Sequence, residues 1–93
     1  MPELLFEIWS DREDGGGSMF RVHPQNDKAR LAIDPKAILV HSFTATSGFE
    51  AFRQSNAWHG YGPWTPPDGV EDHDFTEEEA AEQRAYLRER NLD

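Results

Sequence analysis

The chain has 93 residues, enough for one domain and not for two. Its formal charge of −9 argues against direct binding to nucleic-acid phosphates or anionic lipid. The absence of cysteine excludes disulfides, thiolate nucleophiles and thiolate metal sites. Residues 65 to 93 hold ten acids and three arginines, a charge of −7, so most of the excess lies in the last third.

Leu4-Leu5-Phe6-Glu7-Ile8-Trp9 alternates as a strand, with Leu4, Phe6 and Ile8 on one face and Leu5, Glu7 and Trp9 on the other. Ser10 to Ser18 is polar and carries three consecutive glycines, the composition of a mobile loop. It is no phosphate loop: no lysine follows the glycines, and Glu13 and Asp14 beside them repel phosphate. Met19 to His23 reads as a second strand closed by Pro24, paired with the first as an antiparallel hairpin at the sheet edge.

Pro24 to Ile33 offers a helix of about two turns, capped by Asn26 or Asp27 and stopped by Asp34-Pro35, with Leu31 and Ile33 directed to the core. Ile38 to Ala45 reads as the third strand. It is apolar on both sides in its first half, which calls for cover on both sides, or at least on the side the following helix takes. Ser47-x-x-Glu50 is a capping box that starts a helix over about Gly48 to Ala57, with Phe49 and Phe52 as the expected cover for the sheet. Trp58 to Trp64 then forms an aromatic turn rich in glycine.

Thr65-Pro66-Pro67-Asp68-Gly69 is stiff and ends in a turn, and Val70 to Asp74 is acidic. Phe75-Thr76-Glu77-Glu78-Glu79-Ala80 is a complete helix start, with Thr76 as cap and Glu79 as its box partner. Glutamates in the first turn and arginines in the last complement the helix dipole from Glu77 to about Arg90. The apolar stripe of this helix is thin: Ala80, Gln83 and Leu87, with Tyr86 beside it.

These elements predict an α+β fold: a small three-stranded, mainly antiparallel sheet in the order 2-1-3, packed by one principal helix, plus a C-terminal helix. The organisation expected is a domain over residues 1–66, an acidic Pro/Gly connector over 67–75 and the terminal helix over 76–93.

No HExxH, nucleophile elbow, S-x-x-K or dinucleotide fingerprint is present, so neither a catalytic residue nor a cofactor is expected. No metal site is expected either, because Glu71-Asp72-His73-Asp74 lies in a connector with no fixed geometry. The reading that follows is a non-enzymatic protein-interaction module. Its binding face would comprise Trp58, Tyr61, Trp64, Tyr86 and Leu87, rings and an apolar side chain suited to aromatic-patch or helix-in-groove recognition. One alternative is a small enzyme or ligand-binding protein using His41 or His59 near the aromatic turn. Another is an acidic mimic, through Glu77, Glu78, Glu79 and Glu82, that inhibits a nucleic-acid-binding protein. The expected partner is a protein, with no direct nucleic-acid or membrane contact and a monomer by default. No basic leader precedes an apolar core and no run is long and apolar enough to span a bilayer, so a cytoplasmic location is expected.

Overall fold

The computed structural model describes residues 2–10 and 17–90. Six elements follow in chain order: β1 (Leu4–Ser10), β2 (Ser18–Arg21), α1 (Pro24–Ile33), β3 (Ile38–Ala45), α2 (Gly48–His59) and α3 (Glu77–Arg90). The strands form one antiparallel sheet in the order β2-β1-β3, as the near-continuous apolar run of β1 predicts for a middle strand. Phe6 pairs with Arg21 on one side and Phe43 on the other, and the register against β3 shifts at Ile8/Trp9. The glycine-rich connection expected as a mobile loop falls, at residues 11–16, outside the described residues. Gly17 does lie inside them. A Cβ there would meet Ile8 Cγ2 at 2.8 Å, so only glycine lets the chain pass this close to β1.

The two faces of β1 are packed differently. Leu4 and Phe6 cluster with Ala45, Ala51, Phe75 and Ala80, and Ile8 is buried on the same face. Each of the three large side chains contributes about 1.5–3 kcal/mol by leaving water. Phe6 stacks on Phe43 at 5.7 Å between ring centroids and lies 5.9 Å from Phe75. On the opposite face, Glu7 is only 5% exposed, and α1 and α3 cover it with Asp27, Arg30 and Arg90.

The capping residues act where the sequence places two of them. Ser47 accepts from the Glu50 amide at 3.2 Å, and Thr76 accepts from the Glu79 amide at 3.1 Å. Glu79 completes its box by accepting from the Thr76 amide, whereas Glu50 reaches past Ser47 to the Thr46 hydroxyl. α1 is capped by His23, whose Nδ1 accepts from the Gln25 amide at 3.1 Å, and not by Asn26 or Asp27. Asn26 instead donates to the Arg21 carbonyl, and Asp27 turns inward to Arg90 and Tyr86.

Four expectations about packing are overturned. Leu31 and Ile33 are exposed, Ile33 by 81%, because the face of α1 that meets the sheet is the one bearing Asp27 and Arg30. Phe52 is 47% exposed, and Ala51 and Ser55 cover the sheet in its place. The physical reason is that Phe6, Phe43 and Phe75 already fill this face, so only small helix side chains fit above them. α2 also runs two residues further than expected, so Trp58 and His59 are helical. Gly60, with φ of 76°, closes the helix in the left-handed cap conformation. Finally, the apolar first half of β3 is not covered on both sides: Ile38, Leu39 and Val40 are 40%, 47% and 39% exposed.

α3 lies against the sheet through a side-chain amide. Gln83 accepts from the Leu5 amide at 2.7 Å and donates to the Leu5 and Val22 carbonyls at 3.0 Å each. The amide of Gln83 therefore does for β1 what a peptide group of a longer β2 would do. No helix among the described residues is long and apolar enough to cross a membrane.

Candidate functional site

The sheet has two edges, the short β2 and the longer β3, and the longer one is largely open. The Leu5 carbonyl accepts from the Val22 amide at 3.1 Å, so the polar groups of Leu5 point to the β2 side. Alternation then turns those of Leu4 and Phe6 to β3, and their partners Ala45 and Phe43 turn back to β1. Ser42 and Thr44 are left with their backbone polar groups directed outward. Gln54 donates to the Thr44 carbonyl at 2.7 Å and covers the edge there. The Ile38 to Ser42 portion has neither a neighbouring strand nor such a side-chain cover among the described residues.

This edge has apolar flanks. Leu39 pairs with Trp9, and Trp9 lines a cavity of about 200 Å³ with Phe20, Ile33 and Ala37. On the other flank His41 stacks on Trp58 at 5.3 Å. Trp58 meets His59 edge-on, and His59 stacks on Tyr61 at 4.8 Å. His59 Nδ1 lies 2.8 Å from the Ser55 carbonyl, which places its proton on Nδ1. Its Nε2 is buried beside Gly17 with no hydrogen-bond partner among the described residues.

The five residues expected as a binding face divide among three places. Trp58 and Tyr61 are exposed and joined through His59, on the β3 side. Trp64 stacks on Phe52 at 5.1 Å and meets Phe49 edge-on, on the side of α2 opposite Trp58. Tyr86 donates to Asp27 at 2.5 Å and belongs to the ion network under α1, with half-buried Leu87 next to it in α3.

That network has a defined order. Arg90 grips Glu7 with two bonds of 2.7 and 3.0 Å, and its Nε lies 3.2 Å from Asp27. Trp9 donates to Glu7 at 3.1 Å, and the Arg30 guanidinium sits 3.6 Å from the Trp9 ring centroid. The bond to Asp27, with burial and the charge of that carboxylate, pushes the Tyr86 phenol up to about 12. Glu7 holds the Arg90 guanidinium above its ordinary range. The acids and arginines balance, and the group joins β1, α1 and α3.

A second set of rings surrounds a cavity of about 280 Å³ lined by Phe6, Phe49, Phe52 and Phe75, with Glu71 and Asp72 at its mouth. Shielding by neighbours pushes the Asp72 carboxyl up, but bonds from Ser47 and from the Phe49 and His73 amides outweigh it and hold the group below the usual carboxylate range. Arg21 also lines the cavity, with its guanidinium 5.2 Å from the Phe75 centroid and 2.7 Å from Glu79. The Thr76 amide, followed by Arg21, holds Glu79 below its ordinary value. No group of three or more metal-ligating side chains gathers among the described residues.

Sequence reasoning missed the open edge and the roles of Gln83 and Glu7. Gln83 left a trace, a polar residue in the thin apolar stripe of α3. Glu7 left another, an acid amid the alternation of a middle strand. The exposure of β3 left none, since Ile38-Leu39-Val40 is what a covered strand also presents. Comparison with family models, curated proteins and solved structures finds no match to this chain.

Proposed function

We propose that the chain is a non-enzymatic protein-interaction domain that accepts an extended segment of another protein along the outer edge of β3. The observation that carries this reading is the exposure of Ile38, Leu39 and Val40 on a strand with one free side. A bare, apolar edge is a template for strand addition unless charge, proline or a covering element blunts it. Here the edge bears no charged residue from Ile38 to Ala45, in a chain whose charge is −9. Backbone bonds to the edge would supply affinity, and the flanking Leu39, Trp58 and Tyr61 would supply selectivity.

The test is hydrogen exchange read by mass spectrometry, with a partner recovered by affinity capture. Peptides covering residues 38–44 should gain protection on binding, and Val40→Lys should reduce the partner retained without changing the circular dichroism of the free chain. Protection confined to other segments, with β3 unchanged, would reject strand addition.

A further inference from the structure

The cavity walled by Phe6, Phe49, Phe52 and Phe75 lies away from the β3 edge and carries an inference of its own. Its depth is apolar: Phe6 and Phe75 are among the most buried side chains of the chain, and Phe49 and Phe52 from α2 form the outer walls. Its mouth is acidic, with Glu71 and Asp72 both exposed. The one cation in the lining, Arg21, is matched by Glu79 at 2.7 Å, so the two mouth carboxylates remain uncompensated by it. The Arg21 guanidinium already rests over Phe75, which shows that this wall accepts a planar cation on a ring.

We propose that this cavity binds an arginine side chain presented by a basic segment of a partner protein. The apolar stem would lie among the phenylalanines and the guanidinium would meet Glu71 and Asp72. Charge complementarity selects the occupant: two carboxylates at the mouth, in a chain of net charge −9. Arginine fits better than lysine because a guanidinium both stacks on a ring face and bonds a carboxylate through two N–H groups. An uncharged aliphatic side chain would fill the same walls but leave the carboxylates unused.

The experiment titrates the ¹⁵N-labelled full chain with three blocked tripeptides, Ac-Gly-Arg-Gly-NH₂, its lysine counterpart and its norleucine counterpart, followed by amide chemical shifts. The arginine peptide should move the Gly48, Phe49, His73 and Phe75 amides. It should bind more tightly than the other two, and weaken between low and high salt. Glu71→Gln should raise its Kd about two- to five-fold, the range of an exposed ion pair. Asp72→Asn should do the same, but Asp72 also accepts from the Phe49 amide, so Glu71→Gln is the decisive variant. Equal binding of the norleucine peptide, an unchanged Kd in Glu71→Gln, or shifts elsewhere on the chain would each overturn the proposal.

Discussion

The two faces of β1 are built from one alternating stretch and reach order by different means. The face with Leu4, Phe6 and Ile8 is sealed mainly by rings and alanines, with the Arg21–Glu79 pair at its margin beside Phe75. The face with Glu7 and Trp9 holds a closed set of ions, in which Arg90 and Arg30 meet Glu7, Asp27 and the Trp9 ring. Burial of apolar area supplies the free energy of folding on the first face. A buried ion group contributes little net stability once desolvation is counted, but it tolerates few alternative arrangements. The difference teaches that β1 is stabilised from one side and given its helix positions from the other.

The strongest way to break that contrast is Phe6→Ala. Loss of a ring that touches both Phe43 and Phe75 should cost about 3–5 kcal/mol in denaturant unfolding. A loss below about 1 kcal/mol would show that the ring face is not the principal core. Next is Glu7→Gln, which leaves Arg90 with Asp27 as its charged partner and weakens the bond from Trp9. Arg90 is partly exposed, so the expected loss is about 2–3 kcal/mol, the scale of a hydrogen bond to a charged group. An unchanged midpoint would mean that water replaces the carboxylate at no cost.

Alkaline pH sharpens the comparison, because the Tyr86 phenol of the ionic face titrates there. The Tyr86 phenol is raised from 10.0 to about 12, so the folded chain holds this proton more tightly than the unfolded chain. Its contribution is complete below pH 10 and is lost as pH rises from about 10 to about 12. Urea midpoints across this window should fall less steeply in Tyr86→Phe than in the wild type, and equal slopes would remove the Tyr86–Asp27 bond from the account. The smallest effect is expected from Thr76→Ala. It removes a cap at the start of α3 and should cost about 1 kcal/mol, measured as reduced stability with the ring face intact.

The extents of β1 and β3 and the starts of α2 and α3 were legible because they depend on local chemistry, whereas β2 ends at Arg21, two residues before the expected His23, which instead caps α1. The period of two in Leu4 to Trp9, the cap residues Ser47 and Thr76, and Pro35 after α1 each act within a few residues. Sheet order followed from the apolar middle strand. The faces were less legible. Phe49 and Phe52 make the larger apolar stripe of α2, yet the space above β1 was already occupied by rings from β3 and from Phe75, a segment 23 residues beyond Phe52. In the same way Leu31 and Ile33 lost the inward position to Asp27 and Arg30, because Glu7 offered the inner face of α1 a charge partner network. Of the expected binding residues, Trp58 and Tyr61 stay beside the open edge, while the packing partners of Trp64 and Tyr86 are long-range and have no local signature.

Gln83 has a kinetic consequence. The bonds it makes to Leu5 span 78 residues, and those from Arg90 to Glu7 span 83. Loops this long close slowly relative to hairpins and helices, which need only neighbouring residues. In a chain made from its N-terminus, the Leu5 carbonyl can be met by the Val22 amide, but the Leu5 amide would wait unmatched until Gln83 of α3 emerged. The first strand to be made thus depends, for one of its ladder bonds, on one of the last side chains to be made.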